Sequence, residues 1–187
     1  MKKISKLYKT YFVIFLMMIA FIFFLNYDSF ERSFYPIKYS QYVEKYSSKF
    51  GVDKYLVYSI IKSESKFRKD AISSKGAAGL MQISPKTEKW ARKELKLDKS
   101  NIFDPNVNIE IGTWYIARLL KEFDGNLGLA ISAYNGGSGN VRKWLKSPKY
   151  SFDGKNLHQI PFRETSDYTE KVLKNYKKYK KLYYGLK

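Results

Sequence analysis

Fifteen uncharged residues, Tyr11 to Leu25 (YFVIFLMMIAFIFFL), come directly after a cluster of four lysines, Lys2, Lys3, Lys6 and Lys9. The run is apolar all round, so it has no polar face to turn to water and cannot pack as an ordinary amphipathic helix. As a helix it extends about 22 Å, short of a ~30 Å hydrocarbon core. Tyr8 and Tyr27 lie where interfacial aromatic anchors would lengthen it. Lysines before the run and none within it predict a cytoplasmic N-terminus and export of the remaining chain. A cleaved signal peptide, which would leave the rest secreted, is the competing expectation. The residues at the expected cleavage point, Asn26-Tyr27-Asp28-Ser29, lack the small-residue pattern that cleavage needs. The expected layout is therefore a cytoplasmic basic tail (1–10), a single-pass signal anchor (11–27), a linker containing Pro36 (28–39) and an extracytoplasmic domain (40–187).

The remainder reads as helices. Gln41–Phe50 stops at Gly51, a left-handed cap. Asp53 caps a segment running to about Ser63, with Leu56, Val57, Ile60 and Ile61 on one face. Residues 66–78, rich in Ser, Gly and Ala, have no helical period and predict a structured loop. Ser84-Pro85 and Asp104-Pro105 are paired start signals, cap then N1 proline. The first opens a helix to about Leu95, the second a helix that stops before Gly125, with Gly112 placed for close packing. Asn126 caps a helix ending near Tyr134. Residues 136–139 predict a turn, 141–145 a short helix, and 146–160 a polar loop or small hairpin. A last helix from about Ser166 to Tyr183 carries Tyr168, Val172, Tyr176, Tyr179 and Tyr183 on one stripe and six lysines elsewhere. The fold class is all-α.

Composition narrows the chemistry. With no cysteine, the chain has no disulfide, thiolate nucleophile or cysteine-bound zinc, and a single histidine, His158, rules out a His-rich metal site. Gly-rich phosphate loops are absent. No metal and no cofactor are expected, and any acid–base work falls to carboxylates. The net charge is +18, of which the four N-terminal lysines supply four. A surface that basic favours a polyanionic partner: nucleic acid, anionic lipid or an acidic wall. No RRM, KH or zinc-finger pattern is present, so nucleic acid is not expected.

Four separated pieces then come in a telling order. Glu64-Ser65-Lys66-Phe67 is followed by Ala71-Ile72-Ser73, then Gly76-Ala77 and Gly79-Leu80-Met81-Gln82-Ile83. Ala133-Tyr134-Asn135-Gly136 comes next, and finally Ile160-Pro161-Phe162 with Glu164-Thr165 and Tyr168. Taken singly, each is compatible with an exposed glutamate, a core plug or a helix cap. In this order and spacing they resemble the catalytic domain of lytic transglycosylases of the soluble type, relatives of goose-type lysozyme. The resemblance covers about residues 40–179. Thr169 departs from it, standing where the family usually has an apolar residue, and so does Gly137-Ser138, where a Gly-Pro pair is common.

The resemblance implies a lysozyme-like α domain acting on the glycan strands of peptidoglycan. It makes Glu64 the catalytic acid, and Ser73, Met81, Gln82, Tyr134, Asn135, Glu164 and Tyr168 the substrate-binding set. It implies that the Tyr134 hydroxyl bonds or flanks Glu64, that Asn135 orders the site, and that the fourth motif closes the groove. Asp167, Glu170 and Lys171 are left as surface residues. Most glycosidases use two carboxylates, and no second one is obvious here. The family's substitute is one glutamate acting first as acid and then as base, with the substrate's own C6 hydroxyl attacking C1 to leave a 1,6-anhydro sugar. A hydrolytic lysozyme of the same fold and a non-catalytic wall-binding module remain open. The expected partners are peptidoglycan, the membrane through the N-terminal helix, and anionic wall polymers.

Overall fold

The computed structural model describes residues 2–98 and 100–184, excepting the side chains of residues 2–10, 20, 25 and 26. It divides into two compact units, one ending at Pro36 and one beginning at Ile37.

The first unit is a helix, α1 (Lys2–Phe34). Its apolar side chains from Tyr11 to Ile19 and from Phe21 to Phe24 are exposed, so the run is not a buried core helix of this chain. Among the described residues no single helix is long and apolar enough to cross a membrane. The stretches Tyr11–Phe24 and Tyr27–Phe34 meet length and composition only as a pair, with a 52° bend between them. Helix also replaces the first half of the expected linker: α1 continues to Phe34, and the irregular connection is confined to residues 35–39.

Among its described residues the second unit has seven helices: α2 (Ser40–Phe50), α3 (Lys54–Glu64), α4 (Pro85–Leu95), α5 (Pro105–Glu122), α6 (Leu127–Gly136), α7 (Ser138–Leu145) and α8 (Arg163–Tyr183). No strand occurs among the described residues; two isolated bridges, Ile72 with Ala78 and Ala78 with Ile83, pinch the long loop. The caps obey their chemistry. Asp53, Ser84, Asp104 and Asn126 each accept a backbone N–H of the first turn, filling donors that a helix start leaves free.

The core forms around α3, whose residues Tyr55 to Ile61 are all buried. α8 packs along it most extensively, while α5 is flanked by α2 and α6. On α8 the buried stripe is Thr165, Tyr168, Thr169, Val172, Asn175, Tyr179 and Leu182, which shares only part of the tyrosine stripe read from sequence. Polar members of it find partners. Thr169, which departs from the family pattern, donates to the Thr165 carbonyl at 2.7 Å and meets the Ser132 hydroxyl at 3.0 Å, so its burial costs little.

Two boundaries differ from expectation. α7 begins at Ser138 because only Gly137, at φ 83°, breaks the chain between α6 and α7. α8 begins at Arg163, three residues early, which puts Glu164 in its first turn. The 146–160 segment is a loop without a hairpin; His158 is exposed there, stacked on Phe152 with ring centroids 3.8 Å apart.

Candidate active site

α3 ends at Glu64, and its end is held by a helix a hundred residues away. Ser65 leaves helical geometry, and Lys66 and Phe67 both take left-handed backbone, at φ 53° and 65°, so the chain turns back sharply. α8 supplies the partners that the last turn of a helix lacks. Lys171 Nζ donates to the Ser63 carbonyl at 2.9 Å, and Asn175 Nδ2 donates to the Ser63 hydroxyl at 3.0 Å. A cation at a helix C-terminus also suits the helix dipole. One turn earlier on α8, the Tyr168 hydroxyl donates to Glu64 Oε1 at 2.8 Å.

Glu64 itself is half-buried. Burial pushes its carboxyl up from the ordinary 4.5 to about 7, and the charge of Glu164 pushes the same way. The Tyr168 hydrogen bond and the Lys171 ammonium pull it down, and lose. A carboxyl so poised can hold a proton at neutral pH and give it up to a leaving group. Burial and the neighbouring Glu64 raise Tyr134 and Tyr168 well above the usual phenol range, so both stay protonated donors.

The loop opposite is built on Asn108, which is fully buried. Its Oδ1 accepts from Met81 N at 2.8 Å, and its Nδ2 donates to the Ala78 and Ile102 carbonyls at 3.0 Å. Gly79, at φ 80°, must be glycine twice over: a Cβ there would run into the Asn108 side chain. Met81 is fully buried, its side chain lying where a Cβ on Gly112 would stand. What it offers the site is its carbonyl, which accepts the Tyr134 hydroxyl at 2.9 Å. Gln82, in left-handed backbone at φ 48°, donates through Nε2 to the Ala71 and Gly79 carbonyls.

A cleft of about 480 Å³ opens beside this loop, lined among others by Gln82, Lys86, Trp90, Tyr115, Tyr134 and Asn135. Tyr134 ties it to Glu64, since the same ring that lines the cleft feels that carboxylate. Asn135 accepts from Thr165 Oγ1 at 2.8 Å, so α6 and the first turn of α8 are fastened at the cleft edge.

Of the eight residues read from sequence, Glu64 and Tyr168 are in direct contact, with Tyr134 and the exposed Glu164 in electrostatic reach. Gln82, Tyr134 and Asn135 share the cleft. Tyr168 makes the hydrogen bond to Glu64, while the Tyr134 hydroxyl bonds the Met81 carbonyl. Ser73 is set in its own turn, accepting from Ala77 N at 3.0 Å. Lys171 is exposed, as read, but its ammonium is engaged at the end of α3. Sequence reading missed Asn108, Asn175 and the cleft aromatics Trp90 and Tyr115. Asn108 left only a faint trace, a polar residue between Val107 and Ile109, with Asn106 and Glu110 close by to blur it.

Known proteins share this arrangement of chain. The Transglycosylase SLT domain matches residues 41–157. The soluble lytic murein transglycosylase of Escherichia coli (strain K12) is 32% identical over 78% of this chain and 23% of its own length. The membrane-bound lytic murein transglycosylase C of Serratia proteamaculans (strain 568) is 35% identical over 60% of this chain and 35% of its own. The crystal structure of an inactive mutant of lytic transglycosylase Slt from Pseudomonas aeruginosa superposes with a TM-score of 0.71 at 32% identity, over 79% of this chain and 24% of that one. The chain thus spans between about a quarter and a third of the length of the relatives it matches. With a helical frame in common and the domain matched across more than half of its residues, this chain belongs to the transglycosylase SLT domain family.

Proposed function

We propose that the second unit is a peptidoglycan lytic transglycosylase that cuts the β-1,4 bond between MurNAc and GlcNAc. The observation that carries this reading is Glu64, a half-buried carboxyl bonded to Tyr168, pushed up to about 7 by burial, and coupled through Tyr134 to a cleft of about 480 Å³. Relatives named as soluble and membrane-bound lytic murein transglycosylases support it.

In this mechanism Glu64 gives its proton to the glycosidic oxygen as the C1–O bond breaks. The N-acetyl carbonyl of the same MurNAc steadies the cationic C1. The Glu64 carboxylate then takes the proton of the C6 hydroxyl as O6 bonds to C1, leaving a 1,6-anhydro end and consuming no water. Tyr168 keeps the carboxylate oriented through both steps, since a phenol held protonated can donate to it throughout. An attacking group already part of the bound sugar gains from proximity. Gln82, Asn135 and Glu164 serve as groove contacts, and Ser73 and Met81 as supports of the loop that forms the groove.

The run from Tyr11 to Leu25 serves as an anchor, with the second unit outside the cytoplasm. Its exposed apolar side chains and the lysines before it support that placement.

Digestion of purified peptidoglycan in ¹⁸O-labelled water tests the reading. Products without added water, and without label, are expected by mass spectrometry. Products that carry one labelled oxygen would make this a hydrolase, and no products at all from folded protein would sink enzymatic function.

A further inference from the structure

Three tryptophans occur in the chain, and two of them, Trp114 and Trp144, are buried at 6% and 7% exposure. Trp90 is 39% exposed and lines the cleft from α4. An indole with that much of its surface in water forgoes part of the burial that its size offers. Its orientation is nevertheless fixed. Trp114 meets it in a T-shaped contact with centroids 4.8 Å apart, and the Arg118 guanidinium lies 5.0 Å from its ring centre. A ring held this firmly before a ligand arrives loses little freedom when one binds.

Trp90 also begins a continuous aromatic wall. Its ring is 6.3 Å from that of Tyr115, which is 5.2 Å from that of Tyr134, the residue in electrostatic reach of Glu64. A ligand unit resting on Trp90 therefore lies two ring-to-ring steps from the tyrosine beside the acid, too far to be the unit whose bond is cut.

We propose that Trp90 is a distal sugar platform, a specificity-determining residue that packs against the face of a pyranose remote from the scissile bond and selects long glycan strands over short fragments. This rests on the glycan-cleaving function proposed for the second unit. Pyranose rings present patches of C–H on their faces, and an indole is the side chain best shaped to cover one. Because the contact is remote from the reacting atoms and present before and during reaction, it lowers KM without changing kcat.

The test uses the full chain in detergent, with peptidoglycan glycan strands of graded length as substrates. Trp90→Ala raises KM for long strands about tenfold, a change of one decade in affinity. Its kcat on long strands and its kcat/KM on the shortest cleavable fragment stay at the wild-type values. Trp90→Phe, which keeps a ring against Trp114, falls between. A second readout does not depend on the alanine variant folding. In Glu64→Gln protein, long strands shift tryptophan emission to the blue, and Trp90→Phe in that background abolishes the shift. A KM for long strands within twofold of wild type, equal losses on long and short substrates, or an emission shift that survives Trp90→Phe would each overturn the proposal. Cleavage of the short fragment by the wild-type chain is the separate check on the reading beneath it: if that fails, the reaction is wrong, whatever Trp90 does.

Discussion

Glu64 stands in a balance of opposed influences, and the balance makes predictions of known sign. Its carboxyl is lifted from 4.5 to about 7 by burial, so in the folded protein its ionisation is disfavoured by up to about 3 kcal/mol. The stability it contributes is complete below pH 4.5 and is lost as pH rises through about 7. Glu64→Gln is accordingly expected to abolish cleavage, by at least about 10²-fold, while raising the melting temperature by a few degrees at pH 8 and hardly at all at pH 5. Calorimetry at the two pH values checks it, and equal shifts would show that the carboxyl is not strained. The rate should fall on the alkaline side with an apparent pKa near 7, as the proton to be donated is lost. Lys171→Met removes a charge that pulls that value down, so the alkaline limb should move to higher pH, whereas Lys171→Arg should hold it in place. A limb unmoved by Lys171→Met would deny the ammonium any electrostatic part. Four motifs single out Glu64 in the sequence, whereas Lys171, which also tunes its carboxyl, leaves no such mark. Lys171 looks like one more lysine on a basic helix, and only the packing of α8 along α3 sets its ammonium on the Ser63 carbonyl.

At the scale of the element, helix starts with a side-chain cap were the most legible feature, because a cap, above all one followed by proline, is a local signal and makes its bond within one turn. Ends set by tertiary contact were not. α8 begins at Arg163 without a side-chain cap bond, and the Thr165–Asn135 bond that fastens its first turn joins residues thirty positions apart. Residues 66–78 were readable as a structured loop, yet the amide that holds its end and the turn that follows, Asn108, sits on α5. Its amide satisfies one backbone donor and two acceptors of the loop and its neighbour. Asn108→Ala leaves buried groups without partners, at about 1–3 kcal/mol for each that water cannot reach. Loss of several degrees in melting temperature and a large fall in activity are expected, while a change at exposed Lys89 does neither. Gly112→Ala should act through the same loop, since its new methyl would stand where the Met81 side chain lies; overpacking of this kind costs about 1–3 kcal/mol.

Across the whole molecule the basic charge is spread over both units, and sequence alone could not say which lysines are already engaged. On α8, Lys171 holds Ser63 and Lys180 lies 3.8 Å from Asp53, whereas Lys174, Lys177 and Lys181 are exposed. Binding to isolated walls should weaken as salt rises, because screening shortens to ~8 Å at physiological ionic strength, and reversing Lys174, Lys177 and Lys181 to glutamate should weaken it at low salt without altering the fold. Co-sedimentation across a salt titration reads this directly, and a flat response would refute it. The order in which the chain is made also bears on the acid. Glu64 comes early, but the hydroxyl, ammonium and amide that organise its surroundings and the adjoining Ser63 arrive from Tyr168, Lys171 and Asn175, at separations of 104, 108 and 112 positions. Until α8 has been synthesised and has docked, Glu64 lies at the end of an open helix in water, an ordinary ionised carboxylate with no proton to give at neutral pH. On the proposed function, a chain without α8 is expected to be inert towards the wall, its acid armed only as α8 docks.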